Sequence, residues 1–163
     1  MVDSQVFREA WGKFATGVSV ITTIQPDGLV HGMTAQGINS VSLDPFLVLV
    51  CIGHNRNTYP LITEARRFCI NILNVEQQSI DEYFARPPEK REDGFHVPFS
   101  FTEKGSATID DSLTFMDCRV VEEYVAGDHT IFIGEVDEVT VNDGNNPLLY
   151  FESKFGRITH DGH

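Results

Sequence analysis

A mainly β fold, an antiparallel barrel with two or three short helices, follows from three features of this 163-residue sequence. Seven or eight apolar or alternating segments of strand length recur along it, most of them separated by tight turn signals. Helical periodicity is confined to a few short stretches. A doubly wound βαβ sheet needs a helix between nearly all its strands, so that class is disfavoured. The length suits one domain, residues 1–163, large enough to bury about 70% of the surface of its unfolded chain.

The elements follow in order. Ser4 can cap a short helix in which Phe7, Ala10, Trp11 and Phe14 share one face. From Gly17 the period changes: Val18–Ile24 is largely β-branched, and Gln25-Pro26-Asp27-Gly28 turns it into a second strand over Leu29–Ala35. Ser42-Leu43-Asp44-Pro45 marks another turn, and the apolar run Phe46–Ile52 reads as a strand buried on both faces. Thr58, with Pro60 in the first turn, opens a helix ending at Arg66 or Arg67, before a strand over Phe68–Leu73. Asn74 and Gln77 form a capping-box pattern, which predicts a helix over Val75–Phe84. Ala85–Gly94, with Pro87, Pro88 and the charged run Glu89–Asp93, reads as a loop passing over a surface. Leu113–Tyr124 and Thr130–Val141 are long strands joined through Ala126-Gly127-Asp128-His129. After the turn cluster Asn142–Pro147, Leu148–Phe151 and Phe155–Ile158 are short strands.

Composition narrows function. Twelve Lys and Arg against 24 Asp and Glu give a net charge of −12 and a pI near 4.7. Such a surface argues against nucleic acid and against an anionic membrane. A phosphate-bearing ligand would need local donors acting against the overall field. Cys51, Cys69 and Cys118 each sit in an apolar run with no C-x-x-C spacing, as expected of reduced, buried thiols in the cytoplasm. No apolar run reaches the roughly 18–20 residues of a membrane span. The first residues lack the charged-then-apolar pattern of a secretory signal. Dinucleotide-binding, P-loop, zinc-peptidase and hydrolase-elbow motifs are all absent. His160 and His163 read as solvated rather than as metal ligands.

Three stretches carry chemistry. Residues 31–45, HGMTAQGINSVSLDP, gather small, hydroxyl and amide side chains into a polar seam where backbone could approach a flat heterocycle. An ordinary Ser/Thr-rich turn is the plainer alternative. Gly53-His54-Asn55-Arg56-Asn57-Thr58 follows an apolar strand and opens a helix, and its N–H groups, Arg56 and Thr58 could hold phosphate. The plainer alternative is an N-cap with a solvated Arg. Gly127-Asp128-His129-Thr130 places a histidine at a strand start, with Asp128 able to fix its tautomer, although a lone histidine is more often structural.

Taken together, the segments FATGV, GMTAQGI, SVSLDPFLV, FCINIL, Phe84-Ala85, GDHTIFIGEV and PLLYF resemble the flavin reductase family with the FMN-binding split barrel. Members of that family are the small reductase components of two-component flavin-dependent monooxygenases. The resemblance implies an antiparallel, Greek-key split barrel and hydride transfer from NADH or NADPH to FMN or FAD, and it implies a homodimer with a monooxygenase partner. It assigns Thr34, Ala35, Gln36, Gly37, Ser40, Val41 and Ser42 to the isoalloxazine ring. Cys51, Ile52, Arg56, Asn57 and Thr58 would approach the ring and the ribityl phosphate, and Phe84, Ala85 and Arg86 would also reach the flavin. His129 would lie beside the nicotinamide, positioning it. Tyr150, Phe151 and Phe155 would stand near the cofactor, or near that of a partner chain. The family's Asn-Ser-Phe-Thr is here Gln36-Gly37-Ile38-Asn39, which changes the ring-lining hydrogen bonds and leaves FMN against FAD open. The absence of a basic cluster for a 2′-phosphate favours NADH. A flavoprotein with tightly held FMN that reduces a ferric chelate or small electrophile is an alternative, as is a non-catalytic flavin binder.

Overall fold

The computed structural model describes residues 2–159. Among these residues are three α-helices and twelve strands. Helix α1 is Ser4–Gly12, followed by β1 Thr16–Gly17, β2 Ser19–Ile24, β3 Val30–Ala35, β4 Ile38–Leu43 and β5 Phe46–Gly53. Helix α2, Thr58–Ala65, leads to β6, Arg67–Ile72. A 3₁₀ turn at Val75–Gln77 runs into α3, Gln78–Ala85. The remainder is β7 Phe99–Phe101, β8 Ala107–Ile109, β9 Thr114–Ala126, β10 His129–Val141, β11 Leu149–Phe151 and β12 Lys154–Gly156.

The main sheet has seven strands in the order β3-β2-β6-β9-β10-β5-β4, all its pairings antiparallel. Its two edges, β3 and β4, are consecutive in sequence and joined only by Gln36 and Gly37. The sheet therefore curls on itself and stays open at that junction. Ile21, Ala35, Val50, Phe68, Val120 and Phe132, drawn from six of the seven strands, share one buried cluster inside it. A second cluster, with Val20, Leu73, Ile80, Phe84 and Leu148, lies beneath α3 on the sheet's other side. This mainly antiparallel, incompletely closed architecture is the predicted barrel class.

Most predicted elements are present, with local corrections. The N-cap of α1 is Asp3, whose side chain accepts from the Gln5 and Val6 N–H groups, rather than Ser4. No α1 residue is buried: Phe7 and Trp11, with Phe14 just beyond the helix, each stand more than 60% exposed. Strand β5 is not buried on both faces. Val48, Val50 and Ile52 point into the core, while Leu47, Leu49 and Cys51 alternate on a half-covered face. Cys51 is thus half-buried, and only Cys69 and Cys118 are fully enclosed thiols. The Asn74–Gln77 capping box is present, but it opens the 3₁₀ turn, with α3 starting one residue beyond it. His160 and His163 lie outside the described residues.

Twelve strands replace the expected seven or eight. Strand β4, Ile38–Leu43, lies in the polar seam, to which the sequence assigns no strand. β7 and β8 escaped because they are fixed by polar groups rather than by an apolar pattern. The fully buried Asn71 donates to Val20 O and Thr22 Oγ1, each at 3.1 Å, and its Oδ1 accepts from Ile109 N at 2.8 Å. Thr22 Oγ1 donates to Ala107 O at 2.6 Å. A second polar anchor is Asp117, with no exposed surface. It accepts from Thr102 Oγ1 at 2.7 Å, Ser106 Oγ at 2.6 Å and Arg67 Nη2 at 2.8 Å. These bonds pin the β7–β8 ribbon to β6 and β9.

Candidate functional site

A cleft of about 710 Å³ opens along the free edge of β3, between the start of α2 and the face of α3. Its volume suits a cofactor-sized ligand. The Gly53–Thr58 turn places Arg56, Asn57 and Thr58 at one end. Asn57 makes no side-chain capping bond, so the first N–H groups of α2 are left without a side-chain acceptor. Arg86 and Arg91, from the loop after α3, also line the cleft. Three arginines thus concentrate positive charge inside an acidic protein.

The loop is held by Arg91. Its Nη2 donates to Gly32 O at 2.7 Å and its Nε to Arg86 O at 3.1 Å. Its guanidinium lies 5.1 Å from the Phe84 ring centroid and 5.4 Å from that of Tyr83. Gly32 is required beneath this assembly: a Cβ there would sit 2.5 Å from Phe84 Cε1. The close backbone approach expected of this segment is therefore made to the Phe84 ring of the protein itself.

On the other side of β3, His31 Nε2 meets Thr58 Oγ1 at 2.9 Å, both residues being buried. Burial, and secondly the positive charge of Arg91, lower the His31 pKa from 6.5 to about 4. His31 is therefore neutral at physiological pH. The unfolded chain takes up a proton near pH 6.5 where the folded one does not, so this contribution to stability is complete above pH 6.5. It is lost as pH falls towards 4, by at most about 1.4 kcal/mol per pH unit. His31→Gln is expected to flatten the acid limb of urea-unfolding midpoints measured across that window. An unchanged limb would contradict the assignment.

The expected ligand residues divide by position. Thr34, Gln36, Arg56, Asn57, Thr58, Phe84, Ala85, Arg86, Tyr150 and Phe155 all border the cleft. Ala35 and Ile52 are buried in the barrel core. Cys51 lies against Gly37, where a Cβ would come within 3.0 Å of its own Cβ. Ser40, Val41 and Ser42 lie on edge strand β4, away from the cleft lining, and Phe151 is exposed beside it. His129 starts β10 opposite Gly53. A Cβ at Gly53 would be 3.4 Å from His129 Nε2 and 3.0 Å from Asn55 Oδ1, so the imidazole sits over the turn that carries Asn55 and Arg56. Asp128 Oδ1 lies 2.7 Å from His129 Nδ1, and this hydrogen bond holds the Asp128 carboxyl below the usual carboxylate range. A carboxylate only accepts, so Nδ1 carries the proton and Nε2 of the neutral ring is left as an acceptor.

Sequence reasoning missed His31, Asp81 and Arg91 as cleft residues. One signal was readable. Gln77, Ile80, Asp81 and Phe84 form the buried stripe of the Val75–Ala85 segment, which puts a carboxyl where the 3.6-residue period calls for an apolar side chain. Arg91 gave no such signal, because its role depends on where the loop folds back.

The flavin reductase like domain matches residues 11–159. The chain belongs to this family. The solved structure of the flavin reductase PheA2 in its native state is 42% identical, with a TM-score of 0.90, covering 98% of this chain and all of that one. The Streptomyces globisporus C-1027 NADH:FAD oxidoreductase SgcE6, solved with NAD and FAD fragments, is 31% identical with a TM-score of 0.89, covering 100% of this chain and 99% of that one. The reductase component of a 4-nitrophenol 4-monooxygenase/4-nitrocatechol 2-monooxygenase from Rhodococcus opacus is 35% identical over 157 residues, 96% of this chain and 82% of that protein. In this flavin reductase-like chain the GDH segment and the β3 edge therefore sit in a known architecture. No helix among the described residues is long and apolar enough to cross a membrane.

Proposed function

We propose that this chain is an NADH-dependent flavin reductase that supplies reduced FMN or FAD to a separate flavin-dependent monooxygenase. The observation that supports it most is the cleft itself: a cofactor-sized groove joining three arginines and an open helix start to hydroxyl, amide and aromatic side chains. Those residues fit a flavin. Arg56, Arg86 and the α2 start offer donors to a phosphate, Thr34 and Gln36 offer hydrogen bonds to a ring edge, and Phe84, Tyr150 and Phe155 offer apolar contact. Bound flavin supplies the two-electron acceptor for a hydride from nicotinamide, so no nucleophilic side chain is needed. The protein's part is to bind, orient and exclude water. His129 Nε2, left free by Asp128, accepts from the carboxamide N–H of the nicotinamide and fixes its orientation.

Residues 1–163 act as one domain in this reading. Two copies pair, covering the exposed apolar side chains Phe7 and Trp11 of α1, Phe14 just after it, and Leu43 and Phe46 at the β4–β5 turn. Three free cysteines and the acidic surface accord with a cytoplasmic setting.

The test uses purified protein in air. NADH oxidation is expected to be slow alone and to rise in proportion to added FMN or FAD, with NADPH a poorer donor. A protein that stays yellow through purification and turns NADH over without added flavin would contradict the diffusible-flavin part of the proposal.

A further inference from the structure

Asp81 is the one acidic side chain buried in the cleft wall. Only 5% of it is exposed, yet its Oδ1 has no hydrogen-bond partner. It takes part in none of the ion pairs among the described residues. Thr34 Oγ1 donates to the Asp81 main-chain carbonyl at 3.1 Å, and its hydroxyl is also close enough to the carboxyl to favour the charged form, which burial outweighs. Arg91, which also lines the cleft, is committed to Gly32 O and Arg86 O. Burial pushes the Asp81 carboxyl up from the ordinary carboxylate range. A buried acceptor left without a donor is destabilising, and the arrangement becomes favourable only when a ligand brings the donor.

We propose that Asp81 accepts hydrogen bonds from the ribityl hydroxyls of the flavin and so selects flavins that carry the polyol chain. The proposal rests on the flavin reductase reading above. Three parts of the two cofactors could donate to a carboxylate. The ring imide offers one N–H, flanked by two carbonyl oxygens that a carboxylate would repel. The ring also gathers negative charge at its N1–C2=O edge on reduction, which a neighbouring carboxylate would oppose. A polyol offers neighbouring hydroxyls with no such penalty, and two of them can meet the two oxygens of one carboxylate. The ribose of the nicotinamide cofactor offers the same chemistry, and the experiment separates the two sources. Asp81 is thus assigned to binding; no proton leaves it in the reaction.

The test crosses one substitution with one deletion in the ligand. Riboflavin carries the ribityl chain without phosphate, and lumiflavin keeps the ring and its imide but lacks the chain. Binding of each to wild type and to Asp81→Ala is measured by flavin fluorescence, with the NADH KM measured in parallel using FMN as acceptor. Loss of a charge-assisted hydrogen bond should weaken riboflavin roughly tenfold or more. Lumiflavin affinity and the NADH KM should move less than about twofold, the spread of an uninvolved site. Equal losses for riboflavin and lumiflavin would place the carboxyl against the ring or in a structural role, and would overturn the inference. A selective rise in the NADH KM would assign it to the nicotinamide ribose, with the same consequence. Thermal melting of the ligand-free proteins is a second arm. Removing an unpartnered buried carboxyl should leave Asp81→Ala melting no lower than wild type. A fall of several degrees would show that the carboxyl already has partners within the protein, and would overturn the inference. If wild type binds none of FMN, riboflavin and lumiflavin, the flavin reading itself fails and takes this one with it; if it binds FMN but neither of the others, the phosphate carries the affinity and the inference is overturned while the flavin reading stands.

Discussion

Arg67→Met is expected to destabilise the protein by about 3 kcal/mol, which for a domain of this size lowers the melting temperature by roughly 6–12 °C. The reason is Asp117. Its carboxylate has no exposed surface, and among the described residues Arg67 is its only cationic partner, with Nη2 2.8 Å from Oδ1. The Thr102 and Ser106 hydroxyls remain as donors after the substitution but carry no compensating charge. Arg67 also reaches Asp137 at 2.9 Å, and Asp137 is shared with Arg119, so the change breaks a network spanning β6, β9 and β10. Adding Asp117→Asn removes the stranded charge and should recover a large part of the loss. A single variant within about 1 kcal/mol of wild type by urea unfolding, the size expected of an exposed ion pair, would show that Asp117 does not depend on Arg67.

His129→Ala carries the largest expected effect on activity. The side chain is exposed and makes no core contact, so stability should hardly change. Losing the Nε2 acceptor should raise the NADH KM about tenfold, the magnitude of one net hydrogen bond to bound ligand, while the flavin constant moves little. Asp128→Asn is a milder version. It weakens the bond that fixes the tautomer, 2.7 Å between Nδ1 and Oδ1, without removing the ring. Equal loss of NADH and flavin affinity in His129→Ala would contradict its assignment to the nicotinamide.

Much of this was legible in the sequence because local chemistry and tertiary role coincide. The Gln25–Gly28 turn, the Asn74–Gln77 capping box and the long β9–β10 pair each follow from residues a few positions apart. The segments around Thr34, Arg56 and Phe84 do converge on one cleft. Other features were hidden for physical reasons. Strand β4 pairs with β5 alone and exposes most of its residues, so a Ser-rich edge looks like a turn. The β7–β8 ribbon depends on hydroxyls and on Asn71 and Asp117, which lie far away in sequence. The exposed face of α1 has the periodicity of a buried helix, yet Phe7 and Trp11 remain exposed among the described residues. Asp81 breaks the apolar stripe of its helix, and that local conflict was the readable trace of a binding role.

Hydride transfer from NADH to flavin in the β3-edge cleft is open to direct observation. Its most direct measurement is anaerobic mixing of the protein with equimolar FMN and NADH, following the visible absorbance of the flavin. The flavin is expected to bleach with the loss of one NADH per flavin, much faster than without protein, and His129→Ala is expected to slow this at low NADH and to recover as NADH is raised. Bleaching at the rate of the protein-free mixture, with FMN demonstrably bound, would contradict it and leave a flavin-binding protein without reductase activity.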